Sequence, residues 1–235
     1  MYGVQGRGTY TNNDTRYCIS SSLISVYLHY FQQKGLGNNL TLRALNTSFS
    51  KKLVDLELIS PNSIATNKVN ASDLISYLDS ISKFFDYASR PFPELVATNF
   101  PIERVFKIES GNCKINSLQD LIFYDHSKNI VKFVTFVDSS QYTDNLFGST
   151  LKSCFNFVQL KRDLLGEDTI IKHYILDVFS IKETEVILDQ SHRLNYPRVL
   201  KSIVTSIENK VFYPRASHSA CASCEFKNKC NWSFE

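Results

Sequence analysis

Apolar residues recur at helical spacing from about Cys18 to Gln33, where Ile19, Leu23, Val26 and Tyr30 form one stripe. That is the pattern of a helix with one buried face, opened by Cys18 and closed by Gly35-Leu36-Gly37. The first 15 residues are polar and Gly-rich and read as a turn or short hairpin. Residues 38–69 give only a short amphipathic piece around Leu53–Ile59. A second helix is expected from Ser72, a candidate N-cap, to Tyr87, with Leu74, Leu78, Ile81 and Phe85 as its stripe and Pro91 and Pro93 beyond its end. The period then shortens. Leu95–Ala97, Ile102–Ile108, Ile115–Tyr124 and Ile130–Val137 are rich in β-branched and aromatic residues and read as strands. Asp125 to Asn129 forms the hairpin loop between the last two. A third helix is expected at Ser149–Leu165, strands at Ile170–Phe179 and Glu185–Leu188, and a fourth helix from Pro197, a residue suited to a first helical position.

This order predicts an α/β or α+β chain folded as one domain over residues 1–235, with a mixed central sheet flanked by helices. Hydrophobic residues make up 43% of the 235 positions, enough to exclude disorder as the general state. No apolar run approaches the ~18 residues of a membrane span. The start of the chain has no apolar segment of the signal-peptide kind, so a cytoplasmic location is expected. A net charge of +3 permits a local nucleic-acid patch without arguing for one.

The cysteines change the picture. Cys221, Cys224 and Cys230 lie together near the end, in a Cys-x2-Cys-x5-Cys arrangement, while Cys18, Cys113 and Cys154 are scattered. One turn aims Cys221 and Cys224 at a common point, and Cys230 is near enough to loop back. Thiolates this dense repel one another unless a cation holds them, so a zinc ion or an iron–sulfur cluster is expected in a tail spanning residues 211–235. Either wants a fourth ligand. His218 would complete a zinc site locally, and a distant cysteine would complete either.

The stretch from Tyr213 to Cys230, with Pro214 ahead of the Cys-x2-Cys pair and Phe226 ahead of Cys230, resembles the C-terminal iron–sulfur signature of RecB-like nucleases. These include the AddB-type and CRISPR-associated exonucleases of the PD-(D/E)XK superfamily. The resemblance implies a PD-(D/E)XK nuclease-like fold with an iron–sulfur tail. It also implies a 4Fe-4S cluster held by Cys221, Cys224, Cys230 and an upstream cysteine at the start of an N-terminal helix. Cys18, within residues 1–35, occupies that place. Cys113 is the next candidate, and Cys154 reads as a core thiol.

The same resemblance implies a metal-binding aspartate followed by a strand carrying Asp-x-Lys. Asp120 matches the first acid. The pair does not match: Lys132 stands where the acid belongs and Val134 where the lysine belongs. An ammonium beside Asp120 opposes Mg²⁺ or Mn²⁺ binding, and Lys132 is expected to pair with Asp120 instead. The helical Gln-x-x-x-Tyr is replaced by Lys152-Ser153-Cys154-Phe155-Asn156, and no histidine stands in the second helix. Asp120 thus reads first as a solvated or salt-bridged strand-end acid, and as a catalytic ligand only if Glu103, Asp125 or Asp138 moves in to complete a site.

Positive charge gathers late in the chain. Lys161, Arg162, Lys172, His173, Arg193 and Lys210 accompany Arg198, Lys201, Arg215, Lys227 and Lys229, the residues best placed for phosphate contacts around the tail. The expectation is a catalytically degenerate, cluster-stapled subunit that binds DNA or scaffolds a DNA-processing or defence complex beside a helicase or nuclease partner. The alternatives are an active Mg²⁺- or Mn²⁺-dependent exonuclease with relocated acids, and a zinc-stabilised interaction module.

Overall fold

The computed structural model describes residues 12–60, 68–108, 111–138, 168–188 and 190–209. Four helices and five strands occupy them: α1 (Asn12–Gly35), α2 (Leu42–Asp55), α3 (Ala71–Ala88), β1 (Glu94–Ile108), β2 (Gly111–Asp125), β3 (Ile130–Val137), β4 (Ile170–Asp177), β5 (Glu183–Glu185) and α4 (Gln190–Glu208). The strands form one open sheet in the order β1-β2-β3-β4-β5. Only β3 and β4 run parallel; the other neighbours are antiparallel. The chain is therefore an α/β protein with three helices ahead of a mixed sheet. The segment expected as the helix at Ser149–Leu165, together with Cys154, Lys161 and Arg162, lies outside the described residues, as does the whole Cys-rich tail.

The larger core lies between α1–α3 and one face of the sheet. Ile19, Leu23, Val26, Tyr27, Tyr30 and Phe31 of α1 meet Leu45, Phe49 and Leu53 of α2 and Ile81, Phe84 and Ala88 of α3. The sheet supplies Leu121, Phe123, Val134, Phe136 and Leu176. Tyr27 and Phe84 stack with centroids 3.9 Å apart, and the buried Tyr27 hydroxyl donates to the Val178 carbonyl at 3.0 Å. A smaller core on the opposite face holds Ile122, Val131 and Phe133 with Tyr196 of α4.

Several expected boundaries move, each for a local reason. The helix α1 begins at Asn12, so Cys18 sits in its second turn rather than opening it; the first turn is polar, so periodicity does not reveal it. The ambiguous stretch contains α2, whose buried residues Leu45, Phe49 and Leu53 lie four apart. Both α1 and α2 end in the same motif. Gly37 N–H and Asn38 N–H return to the carbonyls of Lys34 and Gln33; Glu57 N–H and Leu58 N–H return to those of Val54 and Leu53. The residue that turns the chain is Gly37 (φ +80°) in one and Glu57 (φ +56°) in the other. Asn70, not Ser72, caps α3, accepting from Asp73 N–H at 2.8 Å, while Ser72 Oγ–H donates to the same oxygen. The two stretches Leu95–Ala97 and Ile102–Ile108 are one strand, β1. Among the described strands it lies at the edge of the sheet, where Pro101 interrupts no ladder on its outer side. The fourth helix starts at Gln190, with Pro197 inside it. Tyr196, 4% exposed, sits in the turn before the proline. The strand β4 ends at Asp177 and β5 is shorter and earlier than expected.

Among the described residues no helix is long and apolar enough to cross a membrane.

Candidate functional site

The sheet positions the residues that bear on chemistry. Pairing of β2 with β3 runs from Asp125↔Ile130 to Leu121↔Val134 and stops there. The β1–β2 ladder continues to Ile108↔Gly111, so the hairpin leaves the sheet beyond this point. Asp120 sits at the point of departure. Its Oδ2 accepts the Phe136 N–H at 2.8 Å, and so occupies a β3 donor just past the end of the ladder. Asn99, in the opposite part of β1, has φ +50° where the ribbon turns away.

Lys132 does not pair with Asp120, as the sequence suggested. Its partner across the ladder is Phe123, three residues along β2 from Asp120. At ~3.3 Å per residue that is ~10 Å of strand, and an odd spacing also puts the two side chains out of phase in the pleat. Lys132 instead reaches over β4 to Glu183, forming an ion pair in which the side chains are 18% and 25% exposed. Its ammonium lies 4.4 Å from the Tyr174 ring centroid and 5.8 Å from that of Phe92. Tyr87 is buried close by, and its hydroxyl pKa is pushed far above the ordinary value, by burial first and by the Glu183 charge second. The parallel neighbour of Lys132, Lys172, pairs with Glu185 at 3.3 Å, and Tyr174 Oη–H donates to Glu185 at 3.1 Å.

The other acids are engaged as well. Asp138, 5% exposed in its side chain, receives two hydrogen bonds from the Arg16 guanidinium at 2.8 and 2.9 Å. That carboxylate raises the Arg16 pKa, and Arg16 also lies 4.6 Å from the Phe179 centroid. Asp125 accepts from Ser127 N–H, Ser127 Oγ–H and Lys128 N–H in the β2–β3 turn, which hold its carboxyl below the usual range. Glu103 is exposed on β1. Among the described residues no three His, Cys, Asp or Glu side chains come together in a group able to hold a metal ion.

Cys18 lies two residues from Arg16 on α1, partly buried at the margin of the larger core and outside any disulfide. Its carbonyl accepts from Ser22 Oγ–H at 2.7 Å. A half-buried thiol on a helix tied to the end of β3 by the Arg16–Asp138 pair is chemically suited to one corner of a four-thiolate centre. Cys221, Cys224, Cys230 and His218 lie outside the described residues, as do the side chain of Cys113 and the cations Arg215, Lys227, Lys229 and Lys210.

Of the expected phosphate contacts, Arg198 and Lys201 are exposed on α4, three positions apart and so on neighbouring parts of its surface. Lys172 and His173 do not join them. Lys172 is committed to Glu185, and His173 is 5% exposed with Nε2 2.8 Å from Thr135 Oγ1. Arg16 and Glu183 were not singled out by the sequence. Their partners lie far along the chain or across an intervening strand, and no periodicity marks such pairs.

No protein-family profile and no curated protein matches the chain. Among solved structures it is similar to the crystal structure of SSO0001, with a TM-score of 0.37 and 13% identity over 94% of this chain and 98% of that one. A likeness at that level carries no argument about activity.

Proposed function

We propose that this chain is a catalytically degenerate RecB-like, PD-(D/E)XK nuclease-like subunit. In this reading a 4Fe-4S cluster on Cys18, Cys221, Cys224 and Cys230 staples the chain, which binds DNA or scaffolds a DNA-processing or defence complex. The observation that carries the reading is Lys132. It stands where the resemblance calls for a metal-binding acid, and its charge is already balanced by Glu183. Two further facts support it: Asp120 spends an oxygen on the Phe136 amide, and Asp138 is held by Arg16. The cluster's role is structural. Four thiolates around one inorganic centre would link α1 to the tail and close nearly the whole chain into a loop. Arg198, Lys201, Arg215, Lys227 and Lys229 are the proposed phosphate contacts.

Anaerobic purification followed by iron, sulfide and zinc analysis tests the metal. The expected result is a brown protein with iron and acid-labile sulfide that are lost in Cys18→Ala and in Cys224→Ala. A colourless zinc protein would favour the interaction-module alternative. Mg²⁺- or Mn²⁺-dependent DNA cleavage by the pure protein, abolished by Asp120→Asn, would replace the degenerate reading with an active exonuclease.

A further inference from the structure

An open groove of about 630 Å³ runs along α2 beside α3. Its aliphatic lining is Leu42, Val54 and Leu78, and its cations are Arg43 and Lys51. Among the described residues no acidic side chain lines it. Arg43 and Lys51 are exposed, and neither has an ion-pair partner among the described residues. They are eight residues apart on one helix, ~12 Å along its axis. One more feature points the same way. The first turn of α2 carries no acid, so the positive end of the helix beside Leu42 and Arg43 is not offset locally.

We propose that this groove docks an acidic amphipathic helix of a partner protein. Its apolar stripe would cover Leu42, Val54 and Leu78. Two carboxylates about two turns apart would meet Arg43 and Lys51. Nucleic acid fits less well. A phosphate backbone has nothing to place on an aliphatic floor, and two cations are fewer than such binding ordinarily recruits. The inference is independent of the cluster reading, because the described lining of the groove comes from α2 and α3.

The test is selection of a displayed library of helical peptides, randomised along one face, against the purified full chain. The expected winners pair aliphatic residues with two acids seven or eight positions apart. Their affinity, read by fluorescence anisotropy, should fall about tenfold or more with Arg43→Glu/Lys51→Glu and recover when the peptide's acids become lysines. Both sites are exposed, so the variants should keep the wild-type circular dichroism. Winners without acids, winners indifferent to the two substitutions, or no enrichment would overturn the proposal. Loss of single-stranded DNA binding in the same variants, with peptide binding unchanged, would make the groove a nucleic-acid surface instead.

Discussion

Replacing Asp120 separates two jobs that one carboxylate can do. In the structure its Oδ2 accepts the Phe136 N–H at 2.8 Å where β2 parts from β3. Asp120→Ala leaves that donor without the carboxylate. A hydrogen bond to a charged group contributes about 1.5–3 kcal/mol, and a chain of this length loses roughly 2–4 °C of Tm per kcal/mol, so a fall of about 3–12 °C is expected. Asp120→Asn keeps an acceptor of the same shape and gives up only the charge, so its cost should stay below about 1 kcal/mol. Urea melts and thermal scans of the two variants against wild type give the comparison. If Asn is as damaging as Ala, charge rather than the acceptor matters and the structural account fails. If Asn leaves Tm unchanged but removes a metal-dependent cleavage present in the wild type, Asp120 is a metal ligand and the degenerate reading fails with it.

Other perturbations follow from the same contacts. Glu57→Gly should raise stability by about 0.5–1 kcal/mol, because Glu57 holds φ +56° at the end of α2 and only Gly takes that conformation freely; chemical denaturation reads it. Lys132→Met leaves Glu183, 25% exposed, without its ammonium partner, and should cost about 1–3 kcal/mol. The double variant with Glu183→Gln should recover much of that, giving a non-zero coupling in a double-mutant cycle. Alkaline pH should destabilise the fold. Burial raises the Tyr27 and Tyr87 pKa values above the ordinary 10.0, so the folded state keeps protons that the unfolded chain releases. Stability is then fully present below about pH 10 and falls as pH rises above it, with a shallower fall expected in Tyr27→Phe/Tyr87→Phe.

What could be read from sequence followed from how local the signal is. Stripes at helical spacing located α1 and α3, and the β3 range Ile130–Val137 came out as expected, because burial period and chain position coincide there. The Asp125–Asn129 turn was legible because its asparagine and aspartate do the turning themselves, through the Asp125 side chain and the φ of +51° at Asn129. The helix α2 was missed because its three buried residues are diluted by Arg43, Lys51 and Lys52. The fate of Lys132 was misjudged for another reason. Reading Asp120 and Lys132 as partners assumed that neighbouring strands bring motif positions level, whereas register is set by the turn. A tight loop closing on Asp125↔Ile130 puts Lys132 opposite Phe123.

That register also bears on how much an aspartate at position 120 can say about catalysis. The sheet needs an acceptor there whatever the chain does, since β3 continues to Val137 against β4 after β2 has gone. In an active relative of the kind the sequence resembles, an acid at such a place would have two duties. If metal binding were lost, the structural duty would still favour keeping it. Lys132 has no comparable second duty on the metal side. Committed to Glu183 across Tyr174, it is the better position at which to test whether this strand takes part in cleavage chemistry at all.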